Sequence, residues 1–420
     1  MQRSILPLLT LFFVACSGTE KGVASHSFRV FTENGVTISE SSGGPKYTEP
    51  IFEFVEIFDL EQDESRPEML LNRATTFMMD EEGLIYAFDS GDGRVAVFAR
   101  DGTYLRDFGR QGSGPGEFSF IRASWMKDGL IGLYDPLQYR ASIFTTEGQY
   151  IESFTRAGTS NRMRLAPIMR YLNAIIPLPD GRIVHLLHED HNYSTREQTF
   201  CSVAVLYSAD GDSLRSFSTD ELPLPAYPSK RGGVINERTM FTGSPSVQIH
   251  VGRGILMADP REPMVRWYDF DGTLKRVHRL GLNPIPVSTE ERNAIQEFYR
   301  DRILNAEGDT KDHLEESWQY TVIPDQKGLW ESVLVDDQGF HWLRYHTNWL
   351  LPEEERGLWS YMVFSPEGEY LGSVTWPGHI CSISRGHYLW RNIDEETGGY
   401  RYVVYDTRPT VEGLEYPIGP

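Results

Sequence analysis

The run VAVFARDGTYLRDF (95–108) has two strand-like halves, an aromatic near the end of the first, and an Asp-Gly turn between them. The chain repeats it four more times, as ASIFTTEGQYIESF (141–154), AVLYSADGDSLRSF (204–217), VRWYDFDGTLKRVH (265–278) and YMVFSPEGEYLGSV (361–374). In every copy the aromatic (Phe98, Phe144, Tyr207, Tyr268, Phe364) stands three residues before the acidic turn residue. A hairpin repeated at this scale predicts an array of small antiparallel sheets.

Each hairpin has a preceding partner: a Gly turn followed by an apolar run. These are DEEG-LIYAF (80–88), MKDG-LIGLY (126–134), LPDG-RIVHL (178–186), GRG-ILMAD (252–259) and DDQG-FHWLR (336–344). A unit therefore reads strand, turn, strand, loop, strand, turn, strand, which is one blade of a β-propeller. SRGHYLW (384–390) opens a sixth unit that runs to YVVYD (402–406) and then lacks its second turn. The fold expected is all-β: a six-bladed β-propeller of four-stranded antiparallel blades. Its last blade is completed by the N-terminal run IFEFVEIFDL (51–60), which ties both ends together and removes the open edge.

The strand GRVAVF (93–98) and the inter-blade segment FGRQGSGPGEF (108–118) resemble bacterial six-bladed β-propeller proteins of the NHL-repeat type. The resemblance covers roughly residues 50–408 and implies the fold. Such propellers are mostly binding platforms, and some relatives are hydrolases or lyases, so activity must be argued from a site. Gluconolactonase-like propellers hold a metal in the central channel through Glu, Asn and Asp; here Glu117 and Asn173 are the conceivable counterparts that the resemblance implies.

Arg3 and the apolar stretch 5–15 read as a signal peptide (1–15), too short to span a bilayer. It ends in Phe13-Val14-Ala15-Cys16-Ser17, which resembles a bacterial lipobox with Cys16 as the lipidated first residue. Residues 16–49, rich in Ser, Gly, Thr, Glu and Lys, read as a flexible tether to a propeller over 50–420. The address is the bacterial cell envelope, on the periplasmic face or cell surface, with the membrane engaged through the N-terminal lipid. A net charge of −20 argues against nucleic acid as a partner. Cys201 and Cys381 fall in blades three and six, across the ring from one another, and read as separate thiols rather than a disulfide.

One insertion breaks the β pattern. STEERNAIQEFYRDRIL (288–304) has Ser288 with Glu291 three residues on, then apolar residues near helical spacing. It predicts a helix between blades four and five, within an insertion of about 288–317, covering one face of the ring or merely decorating it.

Loop length points to candidate sites, because loops longer than the fold requires are where binding residues concentrate. Between its two Gly turns blade one spans 83–102 and blade two 129–148, whereas blade three spans 181–211 and blade five 339–368. The surplus falls in 185–200 and 345–359. The first holds His185, His188, Glu189, Asp190 and His191. His188, Asp190 and His191 are candidate ligands for a divalent metal such as zinc, and packed or surface histidines are the alternative. The second offers His346 and Trp349 as binding groups.

Arginines add a third pattern. Arg156, Arg162, Arg164 and Arg170 lie in one inter-blade stretch, and Lys230, Arg231 and Arg238 in the next. Arg162, Arg164, Arg170 and Arg231 are candidates for a positive rim that focuses anionic ligands: carboxylates, phosphates or acidic sugars. Asp89 with Arg94, and Asp135 with Arg140, recur in two blades and read as structural clamps. The function expected is a lipid-anchored binding or scaffold module for a peptide, glycan or protein partner, with no catalytic residue assigned. A metal-dependent hydrolase or lactonase working in the central channel is the alternative.

Overall fold

A computed structural model describes residues 25–417 apart from 64, 67–68, 139, 156–168, 179, 192–196, 209–211, 221, 231, 233, 353–355, 357, 377–381 and 394–399. The side chains of 169–175 and 187–200 also lie outside the description. Blade one is Ala74–Met79, Ile85–Asp89, Arg94–Phe98 and Tyr104–Gln111. Blade two is Arg122–Lys127, Leu130–Asp135, Arg140–Thr145 and Tyr150–Thr155. Blade three is Met169–Pro177, Ile183–His191, Glu197–Tyr207 and Ser213–Ser218. Blade four is Ser246–His250, Gly254–Ala258, Met264–Tyr268 and Leu274–Arg279. Blade five is Ser332–Val335, His341–Arg344, Trp359–Phe364 and Tyr370–Trp376. Blade six pairs His387–Ile393 with Tyr400–Pro409, and the latter with Phe52–Asp59 from the other end of the chain. The chain is a six-bladed β-propeller, closed as its sequence predicts.

The repeated hairpin has one physical cause in all five blades that carry it. The third strand carries a register shift at its aromatic: Val97/Phe98, Ile143/Phe144, Leu206/Tyr207, Trp267/Tyr268 and Val363/Phe364. Gly102, Gly148, Gly272 and Gly368 then close the turn at φ 87–89°, the left-handed region that a side chain resists. Glycine is needed there a second time, because each turn packs on the preceding blade. A Cβ on Gly102 would meet the carbonyl of Asp59, and one on Gly368 would meet the ring of His278. The middle strands, Ile85–Asp89 and Arg94–Phe98, are buried throughout, whereas Tyr104–Gln111 at the rim alternates with solvent. Blades stack face to face, so central strands read as unbroken apolar runs.

The Asp/Arg pairs are clamps. Asp89 accepts the amides of Asn72, Arg73 and Gly91 at 2.8–3.1 Å, while Arg94 reaches Asp107 at 2.6 Å and the carbonyl of Leu70. Asp135 likewise accepts the amides of Ser119, Phe120, Leu137 and Gln138, and Arg140 donates to the carbonyls of Ser113 and Glu117. Each pair ties the second-to-third-strand loop to the incoming inter-blade connection. Gln248 does similar work on the channel wall, where its amide bonds the main chain of Val333 and Val335 across blades four and five. Cys201 is buried; Cys381 falls outside the described residues.

Much of the expected tether is instead structural. Ser27–Glu33 and Val36–Ser42 form a hairpin that adds in parallel to the outer strand of blade four. Asn34 and Gly35 both have positive φ, 49° and 80°, as a two-residue hairpin turn of matching twist requires. The chain then follows the rim: Lys46 and Tyr47 donate main-chain bonds to Tyr370 and Leu371 of blade five before Phe52–Asp59 joins blade six. Residues 27–59 are thus a belt over the outer edges of three consecutive blades. The C-terminal stretch after Pro409 folds back under it. Tyr416 packs 4.9 Å from the rings of Phe52 and Phe340, and its hydroxyl donates to Asp336 at 2.9 Å.

Candidate functional site

Three insertions meet over one end of the ring. Helix α1 (Thr289–Leu304) starts where the Ser288 hydroxyl accepts the amide of Glu291 at 3.1 Å, and α2 (Gly308–Gln319) follows. The Glu291 carboxylate is buried and goes to Lys327 at 2.7 Å. Between blades three and four, Leu222–Pro228 and Val234–Asn236 form a hairpin, and Arg238–Thr239 pairs in parallel with Thr321–Val322 after α2. Tyr227 stacks on Tyr320 at 4.2 Å, and the Ser229 hydroxyl and Lys230 amide donate to Glu316 at 3.0 and 2.7 Å. Trp349, from the long connection of blade five, packs edge-on to Phe298 of α1 at 5.1 Å. Ile295, Tyr299, Met240 and Phe241 complete this second, smaller core. The helical insertion is a cap with its own apolar centre.

Beneath the cap lies a cleft of about 490 Å³, at the end of the ring where inter-blade and second-to-third-strand connections emerge. Arg238, Glu331, Arg344, His346 and Trp349 line it, with the hydroxyls of Thr239, Thr242, Ser244, Ser246, Ser332 and Thr347. Arg344 is neutralised in place: it pairs with Glu331 and lies 3.8 Å over the ring of Trp359. Burial pushes the Glu331 carboxyl above its usual range, against the pull of Arg344 and, more weakly, of Arg238. Arg238 donates to the Tyr299 hydroxyl at 2.8 Å and has no carboxylate partner among the described residues.

His346 places its Nε2 at 3.1 Å from the carbonyl of Gly328. A carbonyl only accepts, so Nε2 carries the hydrogen and Nδ1 is left as an acceptor. Burial holds this imidazole down at about 4, neutral at physiological pH. Phe241 stands at φ 60°, an uncommon conformation for a bulky residue. It is fixed by the Gly328 amide donating to its carbonyl at 2.6 Å and by the Lys327 ammonium 4.7 Å from its ring. Strain of this kind persists only where the surroundings over-determine it, and it concentrates at ligand clamps and active sites.

Of the residues the sequence nominates, His346 and Trp349 fall on this cleft. Arg162, Arg164 and Arg231 lie outside the described residues, as does the side chain of Arg170. The side chains of His188, Asp190 and His191 are outside them too, but their backbone corrects one expectation. Residues 185–200 are not mainly loop: Ile183–His191 and Glu197–Tyr207 pair from Ile183↔Tyr207 to His191↔Thr199, so blade three spends its surplus on longer strands. His185 is buried with its ring 4.6 Å from Tyr207. Glu117 braces its own loop, accepting the Gly114 amide at 2.8 Å and Arg110 Nε at 2.8 Å. Among the described residues no three His, Cys, Asp or Glu converge as a metal site. Sequence reasoning missed Glu331, and it put Arg238 in the rim without singling it out; blade five's own strand pairing sets Glu331 beside Arg344, and Arg238 joins them from the connection that pairs with the cap.

Comparison with known proteins agrees on architecture. Residues 46–159 match the family DUF5128, described as a 6-bladed beta-propeller. No curated protein matches the sequence. Among solved structures, a Bacteroides fragilis protein described as a candidate exported protein is 11% identical, with 88% of this chain and 98% of that one covered at a TM-score of 0.46. A DUF4221 member from Bacteroides vulgatus is 11% identical, with 86% and 99% covered at 0.43. A gluconolactonase from Xanthomonas campestris is 11% identical, with 86% and 99% covered at 0.37.

Proposed function

We propose that this chain is an extracytoplasmic, lipid-anchored binding module of the bacterial cell envelope, and that its ligand sits in the capped cleft between blades four and five. The observation that carries the reading is the cap itself. Three separate insertions, none needed to close a propeller, meet over one cleft lined by a positively charged arginine, a neutral acceptor imidazole and several hydroxyl-bearing residues. Preformed concave sites with a few convergent polar groups are the usual form of a small-ligand site.

The anchor is part of the proposal. With Cys16 as the lipidated residue, only residues 17–26 separate it from the belt hairpin that begins at Ser27. Ten residues reach about 35 Å at full extension, so the ring is kept close to the bilayer surface. Two measurements test the reading. Mass spectrometry of the membrane fraction should find the mature chain starting at an acylated Cys16. Ser244→Trp, which fills the cleft mouth, should abolish whatever binding the wild-type protein shows while leaving its thermal melt unchanged. Binding that survives the tryptophan belongs to another surface.

A further inference from the structure

The cleft's chemistry identifies a ligand class, and this inference rests on the binding reading above. We infer that the cleft takes a sugar carrying a single carboxylate, of the uronic-acid type, with Arg238 gripping the carboxylate and the cleft hydroxyls and His346 Nδ1 taking the ring hydroxyls.

Charge is the first argument. Two arginines and one glutamate line the cleft, and Glu331 is already paired with Arg344. One positive charge remains, on Arg238. Its Nη1 is held by the Tyr299 hydroxyl and its guanidinium carbon lies 5.9 Å from that ring's centroid. The fork is therefore oriented before a ligand arrives, with further N–H groups available, and a planar fork matches a carboxylate in a bidentate manner. A multiply charged anion would meet Glu331 without a second free cation to offset it.

Hydroxyls are the second argument. Thr242 and Thr239 are engaged with the Thr239 carbonyl and Glu237. Ser244, Ser246, Ser332 and Thr347 also line the cleft, each bringing a side-chain hydroxyl. With the His346 lone pair they make a set of donors and acceptors matched to a polyol. An acidic peptide would ask for main-chain groups free to extend a strand. Here the main chain is spent: Glu331 and Arg344 bond each other at 2.8 Å, and Gln248 covers Val333 and Val335. Phe241 and Trp349 supply apolar surface for a sugar face.

The test is calorimetric titration of the purified full-length protein with digalacturonate, with its dimethyl ester, and with triglutamate. Digalacturonate should bind, and the ester should bind at least tenfold more weakly. Arg238→Ala should lose tenfold or more for the acid and little for the ester. Tyr299→Phe keeps the charge while removing the hydroxyl beneath it, and should retain most of the affinity. It thereby separates loss of the arginine from damage to the cap. Equal binding of acid and ester, or an indifferent Arg238→Ala, overturns the carboxylate assignment and leaves the cleft as a neutral-ligand site. Triglutamate binding in place of the sugar makes the ligand an acidic peptide. Sugar binding that survives Ser244→Trp removes both this inference and the site, and silence from every probe does the same.

Discussion

Asp336 is a carboxyl set in surroundings that oppose its charge. It is fully buried between blades five and six, and its oxygens accept from the Gln338 and Phe340 amides, Trp342 Nε1 and the Tyr416 hydroxyl at 2.9–3.0 Å. Those bonds favour the carboxylate, yet burial dominates, aided by the neighbouring Asp337, and pushes the group up to about 7. A carboxyl raised above its unfolded value binds its proton more tightly in the folded state. Its contribution to stability is then greatest at acid pH and declines as pH rises from about 4 to about 7. The stability difference between wild type and Asp336→Asn should therefore shrink across that window, measured as urea midpoints at pH 4.5, 6 and 7.5. A pH-independent difference would show that the hydrogen bonds, not burial, set this group. Measuring the difference also cancels the opposite contributions of His278 and His341, both pushed down by burial. Nothing in DDQG (336–339) announces this role, since four of the five hairpin-partner turns carry an acid within the three residues before their glycine. What singles out Asp336 is the arrival of Tyr416 from eighty positions away.

At the scale of elements, sequence was most informative where local chemistry and tertiary packing agree. The Asp/Glu-Gly hairpins were legible because the turn itself requires glycine and the repeat multiplies the signal. Helix α1 was legible from Ser288, and the cap geometry matches: Ser288→Ala should cost about 1 kcal/mol. That loss should appear as faster amide exchange in α1 and α2 with the blade amides unchanged; equal acceleration in the ring would mean the cap does not fold as its own unit. Glu291 shows where the motif stops being a guide. Its position suggests a reciprocal capping box, but the side chain is drawn to Lys327, which is itself largely buried. Lys327→Met leaves that carboxylate without its partner and should destabilise the cap by roughly 3 kcal/mol, well beyond the loss from the N-cap. It also removes the cation over Phe241, so cleft affinity should fall with it. The cleft itself was half legible. His346 and Trp349 stand out as polar and aromatic residues in an overlong loop, whereas Glu331 lies in an ordinary inter-blade segment and acquires meaning only from Arg344 opposite.

For the whole molecule, the belt changes what holds the ring together. Closure through Phe52–Asp59 was predictable from a missing strand, because the sixth repeat ends early and an amphipathic run waits at the other terminus. The hairpin before it was obscured by its polar composition, although Asn34-Gly35 is a strong local hairpin signal and pointed the other way. Its contacts are specific. Ser39 bonds His278 at 2.6 Å, the Ser41 hydroxyl accepts the Tyr370 amide at 3.0 Å, and Glu40 pairs with Arg29 and Arg279. Ser39 and Ser41 are nearly inaccessible to solvent, at 1% and 2% exposure, so the hairpin seals the seam between blades four and five and does not merely lie across it. Removing residues 25–44 would bare the outer strand Leu274–Arg279, leaving a row of unpaired main-chain groups of the kind that recruits another chain. The shortened protein should keep the far-ultraviolet spectrum of a β protein, melt several degrees lower, and show concentration-dependent association by light scattering. A monomer that melts with the full-length protein would return the N-terminal segment to the role of a tether.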